Sequence, residues 1–599
     1  MKKMLTVFLL AAAAGGVALA EQPELPYWKV DDVHAGMKGV GKTVLRGSDV
    51  QEFQFEIIGV LKNVFPKRDL FLAKLSGMNL ETTGVISGMS GSPLYCDGKF
   101  LGAVAYGWPF TKEPIAGITP AEYMMMLVPD ARLPEPAEEL AQGPAAGRPL
   151  PGSAAREAAA PPMAEKVPAA GGPPRSFSLA RLRAPVVLSG VPQPVFEHYA
   201  ERFERMGMLP VQGGGGNDAN IPATLAPGSA VAIALLSGDM SIAGIGTVTE
   251  RAGDEVLAFG HPMMEMGRVA LPMAAARVDA VVPSSYFSFK MGSAGPAIGT
   301  LVIDRSEGVC GRVGTVPRTV PMTVTVKRND FPSMAAYTYQ LADCPELTGM
   351  LVEMALFSSV FMKGSLPREH TIRFRTRVVT HDGTPVQIED SASSTTAGMW
   401  SFFGSVTGVV ENLMRNPFKR VQIKEVSAEL EISPGDDGAF IESVRLPRVK
   451  AAPGKSLRAF VSLTRYRKPT EEMEVEVPIP AATQPGTYNL LITDANGARQ
   501  ADANAVPSQF DPRTYDELIA ALRRQYSSTD IYVILGMPGT GVAVRGKPLP
   551  NLPDSYLSML TPVGQSKTDF VRAVLKSSKA TPYHITGSQN VQIVVEKED

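Results

Sequence analysis

The stretch GMSGSP at residues 88–93, followed by the apolar run LYCDGKFLGAVAYGW at residues 94–108, organises the chain. A serine between two glycines, at the junction of two strand-like runs, is typical of a tight turn, because glycine tolerates the backbone angles that such turns need. We predict Ser90 as a nucleophile, with the backbone amides of Gly88 and Ser90 as oxyanion-hole donors. Gly-Ser turns also occur in β proteins without catalysis, which is the alternative for Ser90.

A serine nucleophile needs a base to take its proton, and His261 is the best placed of the six histidines. It lies in the stretch GDEVLAFGHPMMEMGRVALP at residues 253–272, where an apolar strand is predicted to end at Ala258, Phe259 and Gly260, directly before the imidazole. We predict His261 as general base and then general acid. The alternative is a buried histidine whose ring is satisfied by backbone groups.

Three stretches together resemble the SpoIVB-type serine peptidases, peptidase family 55 of the serine class. TGVISGMSGSPLYCDGKFLGAVAYG at residues 83–107 is similar to the family's serine signature, and IAGIGTVTERAGDEVLAFGHPM at residues 242–263 is similar to its histidine signature. SFKMGSAGPAIGTLVIDRSEGVCGRVG at residues 288–314 resembles the segment that follows the histidine. The resemblance implies a serine endopeptidase with a narrow processing or signalling role, in which self-cleavage is one candidate reaction.

The chain departs from the family pattern in two ways. The family's histidine segment precedes its serine segment, whereas Ser90 here precedes His261, which indicates a permuted order of the two halves. The same catalytic geometry occurs in several chain orders, so permutation alone does not exclude activity. The second departure is in LAKLSGMNLETTG at residues 72–84, where Ser76 occupies the place of the family's aspartate.

The third member of the site therefore stays open. Ser76 stands at the family position, and Asp69, Asp279 and Asp304 are candidates from elsewhere in the chain. A Ser-His dyad without a third member is another possibility, and an inactive site is the last. The sequence contains no zinc-binding spacing of cysteine and histidine, so we predict neither a metal nor a cofactor.

Composition indicates an extracytoplasmic β protein. With 56 Gly, 50 Pro and 7% aromatic residues, the chain favours short strands and many turns. The formal net charge of −2 gives no indication of nucleic-acid binding. The basic MKK, the apolar stretch after it and the small residues that end at Ala20 are typical of a signal peptide. We predict an exported, periplasmic or envelope-associated protein whose mature chain begins at Glu21.

At 599 residues the chain is too long for one core. We predict a mainly β fold: a two-barrel, chymotrypsin-like peptidase region in permuted order, an immunoglobulin-like β-sandwich and a small α+β domain. The predicted parts are the signal peptide at 1–20, the serine-bearing barrel half at 21–132, a Pro/Ala/Gly-rich linker at 133–176, the histidine-bearing barrel half at 177–345, strands with an amphipathic helix at 346–420, the β-sandwich at 421–500 and the α+β domain at 501–599.

The three cysteines leave two alternatives. Cys310 and Cys344 form a pair in an oxidising compartment, or all three, including Cys96, are buried free thiols.

For function, the peptidase hypothesis predicts a peptide or protein substrate. The alternative is a catalytically inactive scaffold or binding protein of the cell envelope, which the serine at the family's aspartate position and the long C-terminal half favour. In either case the C-terminal domains are candidates for contact with an envelope protein. An adhesin or surface protein is a third, weaker hypothesis.

Overall fold

The computed structural model describes residues 25–133, 179–214, 218–331, 333–395, 398–544, 547–549, 552–560 and 570–596. The predicted signal peptide lies outside these residues, as does nearly all of the predicted linker. In the described part the chain is mainly β, with barrel-like sheets, and the predicted fold class is confirmed at this level. None of the helices in these ranges is long and apolar enough to cross a membrane.

The serine-bearing half forms a sheet that closes on itself. Its elements are a 3-10 turn (Val30–Asp32), β1 (Lys38–Thr43), β2 (Gln51–Phe65), β3 (Arg68–Ser76), α1 (Leu80–Thr83), β4 (Ile86–Ser87), β5 (Pro93–Cys96), β6 (Lys99–Gly107), β7 (Ile115–Pro120), α2 (Ala121–Met125) and α3 (Leu127–Arg132). The strands pair in the order β1-β2-β3-β7-β6-β5, and β5 returns to β1. Alternate residues of β2, among them Phe53, Phe55 and Ile57, fill the interior.

The histidine-bearing half forms a second closed arrangement. Its elements are β8 (Ala180–Arg181), β9 (Pro185–Ser189), α4 (Gln193–Arg205), β10 (Leu209–Gly213), β11 (Ala230–Gly238), β12 (Ser241–Ala252), β13 (Glu255–Ala258), β14 (Gly267–Val282), β15 (Ser288–Arg305) and β16 (Gly308–Val313). The strands run β11-β12-β13-β16-β15-β14, and β14 returns to β11. Two strand pairings join the two halves: β8 of the histidine half pairs with β6 of the serine half, and β4 of the serine half pairs with β15 of the histidine half.

The sheet of the histidine half continues into the next part of the chain. The elements there are β17 (Thr319–Arg328), β18 (Ala335–Ala342), α5 (Thr348–Phe361), β19 (His370–Thr380), β20 (Pro385–Ser393), a 3-10 turn (Met399–Ser401), α6 (Gly404–Met414) and β21 (Ile423–Pro434). Strand β18 pairs with β11, so the barrel sheet extends through β18-β17-β21-β19-β20. The apolar face of α6 is buried in the same core as α5, which is the internal packing expected for an amphipathic helix without a basic face.

The C-terminal part consists of two further sheets. Its elements are β22 (Gly438–Arg445), β23 (Lys450–Ala451), β24 (Ser456–Arg465), β25 (Glu471–Pro478), β26 (Gly486–Thr493), α7 (Ala495–Ala505), a 3-10 turn (Pro507–Phe510), α8 (Tyr515–Leu522), β27 (Asp530–Val544), β28 (Lys547–Leu549), α9 (Asp554–Leu560), β29 (Phe570–Ala580), β30 (His584–Thr586) and β31 (Ser588–Val595). One sheet has the order β25-β24-β22-β30, and the other has β23-β31-β26-β27-β28 with β29 on β27. Buried apolar residues of both sheets form one core, as in packed sheet pairs.

The strand pairings cross two of the predicted domain boundaries. Strand β21, placed in the sandwich at 421–500 by the sequence, pairs instead with β17 and β19 of the large sheet. Strand β26 pairs with β27 and β31, so strands from the ranges 421–500 and 501–599 share a sheet. The immunoglobulin-like topology and the separate α+β domain stay predictions. Turn residues mark where strands end, but they carry no information about which distant strand becomes the neighbour.

All three cysteines lie in described residues and are free and buried. Of the two alternatives from the sequence, the structure has three buried thiols, and no disulfide joins Cys310 to Cys344.

Candidate active site

Ser90 lies in the turn between β4 and β5 and is completely buried. The turn has glycines at two left-handed positions, with φ +96° at Gly88 and φ +93° at Gly91. A Cβ atom at Gly91 would lie 2.1 Å from the carbonyl oxygen of Thr247, so a larger residue does not fit there. The position of the serine is therefore fixed by backbone geometry that only glycine allows.

The histidine half holds the serine turn through two threonines of β12. The amide of Thr247 donates to the carbonyl of Ser90 at 3.0 Å, and its Oγ1 donates to the carbonyl of Gly88 at 2.8 Å. Thr249 Oγ1 donates to the carbonyl of Gly91 at 2.8 Å. Thr247 is the threonine of the GIGT sequence in the histidine signature. In this fold Thr247 holds the serine turn across the junction of the two halves.

Two amides of the turn take no part in the turn's own hydrogen bonds. The amides of Met89 and Gly91 are both used inside the protein, and that of Gly91 donates to the carbonyl of Val104 at 2.8 Å. Among the turn and loop hydrogen bonds of the described residues, none starts from the amide of Gly88 or Ser90. Buried amides without an acceptor are uncommon in folded proteins. These two are the amides that the sequence predicts as oxyanion-hole donors.

His261 follows β13 and is 1% exposed. Its Nδ1 lies 2.7 Å from the carbonyl oxygen of Pro262. Because a carbonyl oxygen can only accept, Nδ1 carries the proton, and Nε2 is the acceptor of the neutral ring. Nε2 is buried and makes no hydrogen bond. Burial lowers the pKa of His261 to about 4, while the backbone groups of Pro262 and Leu182 act in the opposite direction.

The serine turn and the histidine loop meet at Val104 of β6. The carbonyl of Val104 accepts from the amide of Gly91, and a Cβ atom added to Gly260 would lie 3.2 Å from the same oxygen. Ser90 and His261 directly adjoin these two glycines, so the fold brings both predicted residues to one edge of β6. No hydrogen bond joins the two side chains: both Ser90 Oγ and His261 Nε2 are buried and make no hydrogen bond to any group.

The comparisons with known proteins agree with the serine half of this arrangement. Residues 20–125 match the family model for SpoIVB peptidase S55. The predicted family resemblance is thereby confirmed over the segment that holds the serine turn, while the histidine segment lies outside the matched residues. No curated protein matches the chain.

One solved structure is also similar to part of the chain. It is a superantigen-like protein from Staphylococcus aureus in complex with 3-N-acetylneuraminyl-N-acetyllactosamine, with 11% identity over 34% of this chain and 92% of that chain. The TM-score is 0.12, and the likeness carries no argument about fold or function.

Asp304 is the predicted third-member candidate that lies nearest to the histidine loop. It is fully buried on β15, and its carboxylate accepts from the amides of Met263 at 2.7 Å, Met264 at 2.8 Å and Met266 at 3.3 Å. Burial raises the pKa of this carboxyl group, while the backbone donors act against that rise. Asp304 therefore holds the backbone that follows His261, and it makes no hydrogen bond to the imidazole ring.

The other third-member candidates lie in different surroundings. Ser76 is exposed at the end of β3. Asp279 forms an ion pair with Arg277 at 3.0 Å and accepts from Ser293 Oγ at 2.7 Å. Asp69 pairs with the exposed Lys62 in the β2–β3 hairpin. In the described residues, the place beside Nδ1 of the imidazole is taken by a backbone carbonyl.

We expect the Asp304→Asn substitution to lower the free energy of unfolding by about 1–3 kcal/mol. The amide side chain keeps the shape but turns an NH₂ group toward backbone donors that need an acceptor. Chemical denaturation measures the change, and Asp279→Asn is the control because it removes a partly exposed ion pair of small value. An Asp304→Asn protein as stable as the wild type would contradict the role of this carboxylate.

Lys290 is a site residue that the sequence analysis missed. The residue is fully buried on β15, and its Nζ donates to Thr43 Oγ1 at 3.0 Å and to Thr247 Oγ1 at 3.2 Å. Its aliphatic chain packs on Gly88, where an added Cβ would lie 3.1 Å from three of its carbons. Burial lowers the pKa of the amine to about 7. A cationic group of lowered pKa thus lies directly beneath the serine turn.

The sequence of β15 itself indicates that Lys290 faces inward. Strand β15 reads SFKMGSAGPAIGTLVIDR, and the alternation of a strand places Lys290 on the same side as the buried Ser288. A single lysine on the inward side of an otherwise small and apolar strand is rarely tolerated without a reason.

Chemically, the arrangement brings a hydroxyl group, a proton acceptor and two amides outside the turn's own hydrogen bonds to one edge of β6. Those are the groups that acyl transfer through a serine requires. Within the described ranges, no group of three or more His, Cys, Asp or Glu side chains is placed to hold a metal ion.

Proposed function

We propose that the chain is an exported serine endopeptidase of SpoIVB type, with a chymotrypsin-like pair of barrels in permuted order. The observation that carries the proposal is the meeting of the serine turn and the histidine loop at Val104. The amides of Gly88 and Ser90, which make no hydrogen bond within the turn, and the proton-accepting Nε2 of His261 add to it. The S55 match over the serine half supports the same assignment.

In the proposed reaction Ser90 Oγ attacks the carbonyl carbon of the scissile peptide bond, and His261 Nε2 takes the hydroxyl proton. The amides of Gly88 and Ser90 bind the oxyanion of the tetrahedral intermediate. When the C–N bond breaks, the imidazolium returns the proton to the leaving amine, and an ester to Ser90 remains. Water, deprotonated by the same imidazole, then hydrolyses the ester and releases the product acid.

Pro262 performs part of the work that an aspartate performs in a triad. Its carbonyl accepts from Nδ1 of His261 and so selects the tautomer in which Nε2 is the base. A neutral carbonyl stabilises the imidazolium less than a carboxylate does. We therefore propose a slow enzyme with a narrow processing or signalling role, which includes self-cleavage as a candidate reaction. Export rests on the signal-peptide pattern that ends at Ala20.

Site mapping with a fluorophosphonate probe tests the proposal. We expect mass spectrometry of the mature protein to find the adduct on Ser90, and we expect the Ser90→Ala protein to carry none. Ser92→Ala is the matched control, because Ser92 is also buried with an unpartnered hydroxyl two residues away. An adduct that persists in the Ser90→Ala protein would refute Ser90 as the nucleophile.

A catalytically inactive scaffold of the cell envelope is the second candidate, and one observation favours it. Ser90 is 0% and His261 is 1% exposed, so a peptide has no access to either group in this conformation. In that case the C-terminal sheets would provide the surface for a protein partner. A correctly folded wild-type protein that forms no adduct over long exposure to the probe would support the scaffold.

A further inference from the structure

The strand β8 reaches the candidate site from the other end of the linker. It pairs antiparallel with the edge of β6, with Tyr106 opposite Arg181 and Gly107 opposite Ala180. Just beyond β8, the amide of Leu182 donates to the carbonyl of Ala105 at 2.9 Å. A short segment of the chain is thus added as an extra strand to the sheet that carries the serine turn, which is a common way for a protein to bind an extended peptide.

The register places Leu182 closest to the predicted nucleophile. Its partner Ala105 follows Val104, and the carbonyl of Val104 accepts from the amide of Gly91, the residue after Ser90. The strands are antiparallel, so the residues before Leu182 run away from the serine turn along β6. A backbone group of Leu182 favours the protonated form of His261 and so offsets part of the lowering of its pKa by burial. This peptide group therefore lies beside the imidazole.

The side chain of Leu182 fills an apolar pocket at the same place. It is 0% exposed, and an added Cβ at Gly107 would lie 3.3 Å from Leu182 Cδ2, 3.4 Å from Phe287 and 3.9 Å from Val85. Val85 precedes the serine turn, and Phe287 precedes β15. Both also line a cavity of about 140 Å³ that includes the exposed ring of Phe110. The pocket is therefore built from elements that flank the serine turn.

We propose that residues 179–182 are a resident occupant of the enzyme's own peptide-binding strand position, with Leu182 in the pocket that selects the residue before the cleaved bond. The proposal rests on the proposed function, and it assigns to that site a preference for peptides with leucine or a similar aliphatic residue at this position. It also explains the burial of Ser90 and His261: the site is closed because the resident strand lies in it.

Release of the strand is the event that opens the site. A two-residue strand on the edge of a sheet is among the least stable elements of a fold. Its main attachments are the hydrogen bonds to β6 and the buried leucine, together with the partly exposed ion pair of Arg181 with Glu265. A competing peptide that offers the same bonds and an aliphatic side chain displaces it.

The test compares the rate of Ser90 labelling by a fluorophosphonate in the wild type and in the Leu182→Asp protein. We expect labelling to be about 10- to 100-fold faster in Leu182→Asp, because the buried leucine no longer anchors the strand. Arg375→Ala is the control, with a rate within about twofold of the wild type, because it removes an exposed ion pair with Glu389, outside the site. Equal rates for the wild type and Leu182→Asp, with both proteins labelled, would overturn the resident strand and leave the peptidase proposal standing.

A second measurement on the unmodified protein does not depend on catalysis. We expect the amide of Leu182 to be protected from hydrogen–deuterium exchange, and acetyl-Leu-Ala-Arg-Leu aldehyde to abolish that protection by taking the place of the strand. The same peptide aldehyde ending in aspartate is expected to leave it unchanged. Fast exchange at Leu182 in the free protein would overturn the proposal, whether or not Ser90 reacts with any probe. Failure of labelling in all variants, with Leu182 protected, would instead contradict the proposed function and the substrate preference that rests on it.

Discussion

The His261→Ala substitution is expected to slow the reaction of Ser90 with a fluorophosphonate by about 10²- to 10⁴-fold, the range typical of a lost general base. The structure gives a specific reason. Nδ1 is bound to the carbonyl of Pro262 at 2.7 Å, so Nε2 is left as a buried proton acceptor without a partner. Without it, the hydroxyl of Ser90 has to lose its proton to water.

His370 provides the control for this substitution. It is also buried, its Nδ1 lies 2.8 Å from the carbonyl of Pro367, and its Nε2 has no partner. It lies on β19, outside the site, and His370→Ala should leave the labelling rate unchanged. An equal loss of rate in both variants would mean that the effect is structural and would contradict His261 as the base.

The pH dependence of labelling follows from the lowered pKa of His261. With a pKa of about 4, the ring stays neutral and basic throughout the neutral range. We expect the rate to persist down to about pH 5 and to fall as the ring is protonated near pH 4. A loss of rate centred near the ordinary histidine value of about 6.5 would show that the imidazole is solvated when Ser90 reacts.

The Lys290→Met substitution is expected to raise the free energy of unfolding by about 2–4 kcal/mol at pH 6. Methionine has nearly the same shape and removes a buried cation that has only hydroxyl partners, Thr43 and Thr247. The loss of the hydrogen bond to Thr43 offsets a fraction of the gain, because the buried hydroxyl is left without a donor.

The gain should depend on pH in a defined direction. Burial lowers the pKa of Lys290 to about 7 from an ordinary value of 10.5. Between these values the unfolded chain holds a proton that the folded protein lacks, so the stability of the wild type rises with pH over this window. Below pH 7 the full cost of the buried charge is present. The advantage of Lys290→Met is therefore largest below pH 7 and shrinks toward pH 10.

Chemical denaturation at pH 6 and pH 9 measures this effect, and Lys327→Met is the control. Lys327 is an exposed lysine in an ion pair with Glu431, and its loss should change the stability by less than about 0.5 kcal/mol. We also expect slower Ser90 labelling in Lys290→Met, since the lysine packs on Gly88. A less stable Lys290→Met protein at pH 6 would contradict the cost assigned to the buried charge.

The serine turn and the barrel-like sheets were predictable from the sequence because their signals are local. Gly88 and Gly91 adopt left-handed angles that their own residue type permits, and alternation along β2 shows which side chains face inward. The place of His261 after β13 was predictable for the same reason. Each of these features depends on residues within one turn or one strand.

The features that escaped prediction depend on contacts between distant segments. Asp304 reaches the histidine loop only because β15 lies beside it, and Lys290 becomes a site residue only when the two halves meet. The pairing of β8 with β6 joins the two ends of the linker region, which no local pattern can show. The pairing of β26 with β27 and β31, beyond residue 500, is a contact of the same kind.

Ser90 and His261 belong to two sheets, each of which closes on itself, and β4 with the threonines of β12 joins them. Most strands of each half therefore find their hydrogen-bonded neighbours within the same half. The chain between residues 133 and 179 keeps the halves at a high effective concentration. A cut within it would turn the intramolecular association of the two halves into a bimolecular one. The lifetime of the nicked protein would then be set by the dissociation rate of the two halves, and the assembled fraction would fall with dilution.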